Sequence, residues 1–237
     1  MHTAILLAAG SSQRMGQSGL DKTVMAIAGK PVIAYSIAAF LKSGITQTFW
    51  VTYRDADQLS TLQAITAPFG NATFHWVHGG ASRAESVTNA LNTIPTSFEY
   101  VFIHDCARPL ITAQALLHLK AAVETHGAAS LAHKVKDTIK RIPSGHSMNT
   151  PLLLEDLDRS TLWAMETPQA FNRALIQQAY AKAPPTLTDD NAAVALVGHT
   201  VQLVENAYPN PKLTTAEDIG YIEYLLAQES ASSSTHG

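Results

Sequence analysis

Thr3-Ala4-Ile5-Leu6-Leu7-Ala8-Ala9-Gly10-Ser11-Ser12-Gln13-Arg14-Met15-Gly16 opens with an apolar run of no period and stops abruptly in glycine and serine. That pattern predicts a strand buried on both faces, running into a loop rather than a hairpin turn. A nucleotide-binding α/β domain begins in this way. Small residues in the loop let backbone N–H groups approach a phosphate chain, and Arg14 with the later Lys22 supplies neutralising charge. Gly10 and Gly16 are six apart and no Gly-Lys-Ser/Thr follows, so the segment is neither the dinucleotide fingerprint nor the Walker loop. On spacing alone, a plain glycine and serine turn is an equal reading.

Further apolar segments follow at Phe49-Trp50-Val51, Phe74-His75-Trp76-Val77 and Tyr100-Val101-Phe102-Ile103, each beside a stretch of helical spacing. Alternation of this kind predicts a mostly parallel sheet with helical crossovers. Ser82 and Glu85 match a capping box ahead of Ala84, Val87, Leu91 and Ile94. Pro31 is suited to open a second helix, with Ile33, Ile37, Phe40 and Leu41 on its buried stripe. Residues 137–159 break the rhythm with mixed charges and a Pro143-Ser144-Gly145 turn, which predicts a polar hairpin outside the main sheet or a long surface loop. Two strands alone are marginal in water, so such an arm needs something to pack on, and a second subunit would serve. The serine-rich residues 229–237 read as a disordered tail, leaving 1–228 as a single domain.

The composition narrows the function. Among 237 residues, 46% are apolar and 15% charged, as in a globule with a sizeable core. Sixteen Lys and Arg against nineteen Asp and Glu leave a net charge of -3, which provides no overall field for nucleic acid or anionic lipid. No apolar run nears the roughly 20 residues that span a bilayer, and the short N-terminal apolar run lacks the basic flank of a signal peptide. One cysteine, Cys106, makes no internal disulfide and fits a reducing compartment. The expectation is a soluble cytoplasmic protein, binding neither membrane nor nucleic acid.

Two further constellations carry chemistry. Gly79-Gly80-Ala81-Ser82-Arg83-Ala84-Glu85-Ser86 places paired glycines and a capped helix start after a strand, an end that favours anions. The competing reading is a simple cap with Arg83 on the surface. His104-Asp105-Cys106-Ala107-Arg108-Pro109 ends another strand, where functional groups of open α/β sheets gather. Asp105 is placed to hold magnesium and Arg108 a phosphate, while His104 and Cys106 read as core residues. His75 and His78 read as ordinary strand residues.

The order of these segments, together with Asp137-Thr138-Ile139-Lys140, Thr167-Pro168-Gln169, Thr188-Asp189-Asp190 and Asn210-Pro211-Lys212-Leu213-Thr214, resembles the Rossmann-like nucleotidyltransferases. The closest likeness, from about Thr3 to Leu226, is to the 2-C-methyl-D-erythritol 4-phosphate cytidylyltransferase family. The resemblance implies a three-layer α/β fold and transfer of CMP from CTP to methylerythritol phosphate with magnesium. It implies that Ala8, Ala9, Gly10, Ser11, Gly79, Gly80, Arg83 and Ser86 serve the nucleotide, with Asp105 holding the metal. Arg14, Lys22 and Lys212 become the catalytic cations. Arg108, Thr167 and Thr188 would bind the sugar phosphate, with Thr138 and Arg159 reaching in from the arm of a homodimer partner. A polyol phosphate such as ribitol phosphate as acceptor, or a non-catalytic nucleotide-binding protein, are the alternatives. The chain departs from the family at Asp21, usually proline, at Thr23-Val24 and at Ala81, and also at Asn191-Ala192-Ala193 and Pro211. A carboxylate at Asp21 would weaken triphosphate binding if it pointed inward.

Overall fold

The first apolar run forms strand β1 (His2–Leu7), and its alternate side chains enter two different cores. Ala4 and Leu6 face one side and Ile5 the other, all fully buried. A strand covered on both faces explains why the run shows no polar alternation. The computed structural model describes residues 1–10, 21–145 and 149–234, with side chains described through residue 228.

After β1 come the two-residue pair β2 (Ala26–Ile27) and β3 (Lys30–Pro31), helix α1 (Val32–Ser43), β4 (Thr48–Tyr53) and α2 (Ala56–Thr66). Then follow β5 (Thr73–His78), α3 (Arg83–Leu91), β6 (Tyr100–Asp105), α4 (Ala113–His126) and β7 (Ala128–Lys134). Strands β8 (Lys140–Arg141) and β9 (Glu155–Asp156) precede β10 (Trp163–Asn172), α5 (Arg173–Tyr180), α6 (Asp190–Ala195), β11 (Gln202–Glu205) and α7 (Glu217–Ser234).

Seven strands make one sheet in the order β11-β7-β10-β6-β1-β4-β5. Every pairing is parallel except those of β10, which runs antiparallel to β6 and β7. On one face Phe40 of α1 meets Phe49 and Phe102 edge-on, at ring-centroid separations of 6.1 and 6.0 Å. Each such contact adds about 0.5–1.5 kcal/mol beyond area burial. Leu116 and Leu119 of α4 complete that layer. On the other face Val87 and Leu91 of α3 and Ile176 of α5 cover Ile5, Val101 and Ile103. The expected three-layer, mostly parallel α/β architecture is therefore present.

Pro31 stands at the start of α1, as expected, while Ile94 is buried beyond the end of α3, which stops at Leu91. Helix α7 runs through Ser234 and so reaches into residues 229–237, the segment read as a tail. No proline or glycine follows Gly220 before Ser234 to stop it, and Ala, Gln and Glu propagate a helix well.

The arm forms as a short antiparallel ladder apart from the main sheet, pairing Lys140 with Asp156 and Arg141 with Glu155. Ion pairs join the same residues across it. It is less polar than expected, since Ile139, Ile142, Leu153 and Leu154 are all exposed.

Candidate functional site

Strand order reverses beside β1: β4 and β5 lie to one side and β6 to the other. Ligands of open α/β sheets bind at the carboxyl ends of strands at such a switch point. Here those ends surround a cleft of about 570 Å³ lined by Ala9, Gly10, Lys22, Arg54, Gly80, Ser82, Arg83, Ser86, Asp105, Thr188 and Lys212. Residues from both ends of the sequence thus meet in one place.

Gly79 and Gly80 bring the chain from β5 into α3. A Cβ at Gly79 would lie 2.5 Å from Ala9 Cβ and 3.1 Å from Ser86 Oγ, so only glycine lets the two loops approach this closely. Ser82 caps α3 by accepting the Glu85 N–H at 3.1 Å. Glu85 does not return the bond to Ser82; its carboxylate accepts the Ala81 N–H at 2.8 Å, one residue further back. Ser86 Oγ donates to the Ser82 carbonyl and accepts from Gly80 N–H, both at 3.0 Å. The Ser86 hydroxyl, expected to serve the nucleotide, thus also fixes the loop's shape. Ala8 is buried behind the cleft, its N–H donating to Thr52 Oγ1 at 3.1 Å.

Arg83 is not a surface residue. Its guanidinium makes a bidentate pair with Asp190, 2.7 Å on each branch, and its Nε lies 3.3 Å from Asp105 Oδ1. Asp190 is fully buried and also accepts from the Tyr180 hydroxyl. Burial works against the Arg83 charge, yet the Asp190 and Asp105 carboxylates hold its pKa above the ordinary value. Burial and Asp190 together push the Tyr180 phenol up.

Asp105 ends β6 between two cations. Lys212 Nζ donates to its Oδ2 at 2.5 Å, opposite the Arg83 contact. Burial alone would raise the pKa of the carboxyl, but Arg83 and Lys212 hold it well below the usual carboxylate range. The next inward residue, His104, is fully buried between Ser36 Oγ at 3.0 Å and Thr167 Oγ1 at 3.2 Å. Burial pushes its pKa down to about 4, so it is a neutral core group, as expected. Burial pushes the Cys106 thiol up, which leaves it a packing residue.

The cations expected to act together are brought together in part. Lys22 and Lys212 line the cleft with Asp105 and Thr188. Arg108 is turned into the body of the protein, its Nη1 donating to the Asn210 carbonyl at 2.7 Å, while burial lowers its pKa. Its buried Nε has no partner among the described residues. The Thr167 hydroxyl accepts the Asp105 N–H at 3.0 Å. Thr138 and Arg159 are exposed on the arm, outside this chain's own cleft, with Arg159 donating to the Lys136 carbonyl at 2.6 Å. Ser11 and Arg14 fall outside the described residues.

Several groups were invisible from motif spacing. Asp190 lies in the Thr188-Asp189-Asp190 segment, but only the fold brings it to Arg83. Glu166, 2% exposed, accepts from Asn206 at 2.8 Å and Asn210 at 2.9 Å and sits 2.6 Å from His133 Nδ1, anchoring the segment that carries Lys212. Asp21, the departure beside Lys22, turns to Thr23, Gln58 and Arg54. Arg54 itself lines the cleft, and its position at the end of an apolar strand was the one available signal.

Such a cleft binds a polyanion: several cations, a capped helix start and close-packed glycines converge on strand ends. Known proteins agree with this geometry. Residues 2–228 match the family model described as 2-C-methyl-D-erythritol 4-phosphate cytidylyltransferase. A protein of that name from Caldanaerobacter subterraneus subsp. tengcongensis is 37% identical over 228 residues, covering 94% of this chain and 98% of its own. Another from Geobacillus kaustophilus is 36% identical over 97% and 99% of the two chains. The crystal structure of 4-diphosphocytidyl-2C-methyl-D-erythritol synthase from Anaerococcus prevotii superposes with a TM-score of 0.81 at 24% identity, covering 95% and 98%, a likeness of fold. With its sheet order, its cationic cleft and a match along nearly its whole length, the chain belongs to the 2-C-methyl-D-erythritol 4-phosphate cytidylyltransferase family.

Proposed function

We propose that this chain transfers CMP from CTP to 2-C-methyl-D-erythritol 4-phosphate, giving 4-diphosphocytidyl-2-C-methyl-D-erythritol and pyrophosphate. The observation that carries the reading is the meeting of Lys22, Lys212 and Asp105 around one cleft at the strand ends, in a chain of this family. A phosphate oxygen of the acceptor must attack the α-phosphorus of CTP in line, and both reactants are polyanions. Catalysis is then positioning and charge neutralisation, and no covalent enzyme intermediate is required. A phosphate monoester is nucleophilic near neutral pH, so the site needs no dedicated general base.

Ala9, Gly10 and Gly80 shape the wall against which the nucleotide lies, and Ser11 and Arg14 follow them in sequence. Lys22 and Arg14 neutralise the triphosphate, and Lys212 stabilises the charge developing on the α-phosphoryl group. Among the described residues no three His, Cys, Asp or Glu side chains cluster as a metal cage. Magnesium commonly binds through one or two carboxylates plus substrate phosphates. Asp105 would hold the ion, which supplies further charge neutralisation on the phosphates.

The sugar phosphate would be read by Thr188 and Arg108 with Thr167, and by Thr138 and Arg159 from a partner's arm. Exposed Ile139, Ile142, Leu153 and Leu154 support a homodimer built through that arm, since an isolated two-stranded ladder has too little apolar cover. The single buried cysteine is in keeping with a cytoplasmic enzyme, and no described helix is long and apolar enough to cross a membrane. The test is pyrophosphate release from purified protein with CTP, magnesium and methylerythritol phosphate, run beside ribitol phosphate. Release with the first acceptor is expected. No release, or a preference for ribitol phosphate, would overturn the assignment.

A further inference from the structure

The Asp21 carboxylate lies next in sequence to Lys22 at the edge of a cleft built for phosphate, where an unpaired negative charge opposes binding. Its oxygens are fully engaged. Oδ1 accepts from Thr23 N–H at 3.0 Å and from Thr23 Oγ1 at 2.7 Å. Oδ2 accepts from Gln58 Nε2 and from Arg54 Nη1, the latter at 3.3 Å. Its side chain is only 11% exposed.

Arg54 follows β4 and is itself held in place. Its Nε donates to Asp55 at 2.7 Å, its backbone N–H donates to Gln58 Oε1 at 2.6 Å, and its Nη1 also reaches the Gly10 carbonyl at 3.3 Å. Gln58, 4% exposed, donates to the Ala8 carbonyl at 2.9 Å from the same amide that meets Asp21. Asp55 in turn caps α2 through the Gln58 N–H at 2.8 Å. One guanidinium thus joins Gly10, on the nucleotide side of β1, to Asp21, the neighbour of Lys22.

We infer that Arg54 is a positioning residue of the nucleotide site, which with Gln58 neutralises Asp21 and holds its carboxylate away from the triphosphate. The inference rests on the reading of this cleft as the CTP site. Arg54 acts through Asp21 and Gly10 and need not touch the nucleotide. Removing it leaves a carboxylate without its cation beside Lys22, which repels phosphate and competes for the lysine. Among the described residues, none of the hydrogen bonds made by Arg54 or Asp21 reaches Arg108, Thr167 or Thr188, the groups assigned to the acceptor.

A double-mutant cycle on the full-length protein tests this, with CTP binding measured by calorimetry alongside steady-state kinetics and thermal melts. Arg54→Ala should raise the Kd and the KM for CTP about tenfold, the scale of one uncompensated charge near a phosphate, with kcat and the KM for the sugar phosphate little changed. The loss should shrink as salt rises from about 0.05 to 0.5 M. Adding Asp21→Asn to Arg54→Ala should restore most of the CTP affinity, because the charge that Arg54 masks is then gone. A double variant as weak as Arg54→Ala, or a single variant that binds CTP normally, would overturn the inference. A wild-type protein that binds no CTP would instead remove the nucleotide-site reading and this one with it. If Arg54→Ala melts early, Arg54→Lys keeps the charge but not the two-pronged geometry, and should fall between wild type and alanine.

Discussion

Lys212 and Asp105, 107 positions apart in the chain, form an ion pair of 2.5 Å at the carboxyl end of β6. The pair fixes the lysine at the cleft wall and, with Arg83, keeps the carboxylate ionised.

Replacing Lys212 with alanine should lower kcat by about two to three orders of magnitude, the usual loss when a donor to developing charge is removed. Steady-state pyrophosphate release measures it. Near-normal kcat would show that the lysine serves only to hold Asp105.

Asp190→Asn should destabilise the fold by about 3–5 kcal/mol, because it strands a largely buried guanidinium without its bidentate partner. Urea unfolding gives the number. A change under 1 kcal/mol would mean that Asp105 or solvent takes over the Arg83 charge.

Gly79→Ala places a methyl group 2.5 Å from Ala9 Cβ, on a strand end that cannot retreat far. Overpacking of this kind costs about 1–3 kcal/mol. The strain falls on the cleft wall, so weaker CTP binding by calorimetry is expected together with a lower melting temperature. Unchanged affinity would show that the two loops separate freely.

His104 gives the fold an acid sensitivity of definite sign. Its pKa is about 4 in the folded chain against an ordinary 6.5, so between these values the unfolded chain binds more protons. Stability is then complete above pH 6.5 and declines as pH falls toward 4, by about 3 kcal/mol at most. Asp105, whose folded pKa is depressed, contributes only lower, as pH falls below its unfolded value near 3.8. Unfolding in urea at pH 7 and pH 5 reads the slope, and His104→Asn should flatten it.

How much of this was legible in the sequence varies with the range of the interactions. β1, β4 and β6 were readable because consecutive apolar residues need burial on both faces, and the edge strand β5 because Phe74 and Trp76 pack against the core from a partly exposed strand. The capped start of α3 was equally plain, since Ser82 and Glu85 act on their own neighbours. β7, β10 and β11 were not identified as strands. β10 carries Glu166 and Pro168 in its middle, and the carboxylate is tolerated only because His133, Asn206 and Asn210 meet it from elsewhere in the chain. Arg83 could be placed at a helix start but not paired, as its partner Asp190 lies 107 residues on. Arg54 matched no motif, and its role depends on a carboxylate where the family usually has proline.

The antiparallel strand β10 has a consequence for how the molecule is made. β7 emerges from the ribosome with no strand to join: its two neighbours, β10 and β11, are both translated later. The strands β6, β1, β4 and β5 are all complete in the chain once Asp105 has been translated, whereas β7 has neither neighbour until β10 follows. Asp190 and Lys212 arrive later still. The sheet and its charged cleft therefore cannot be complete before Lys212 has been translated.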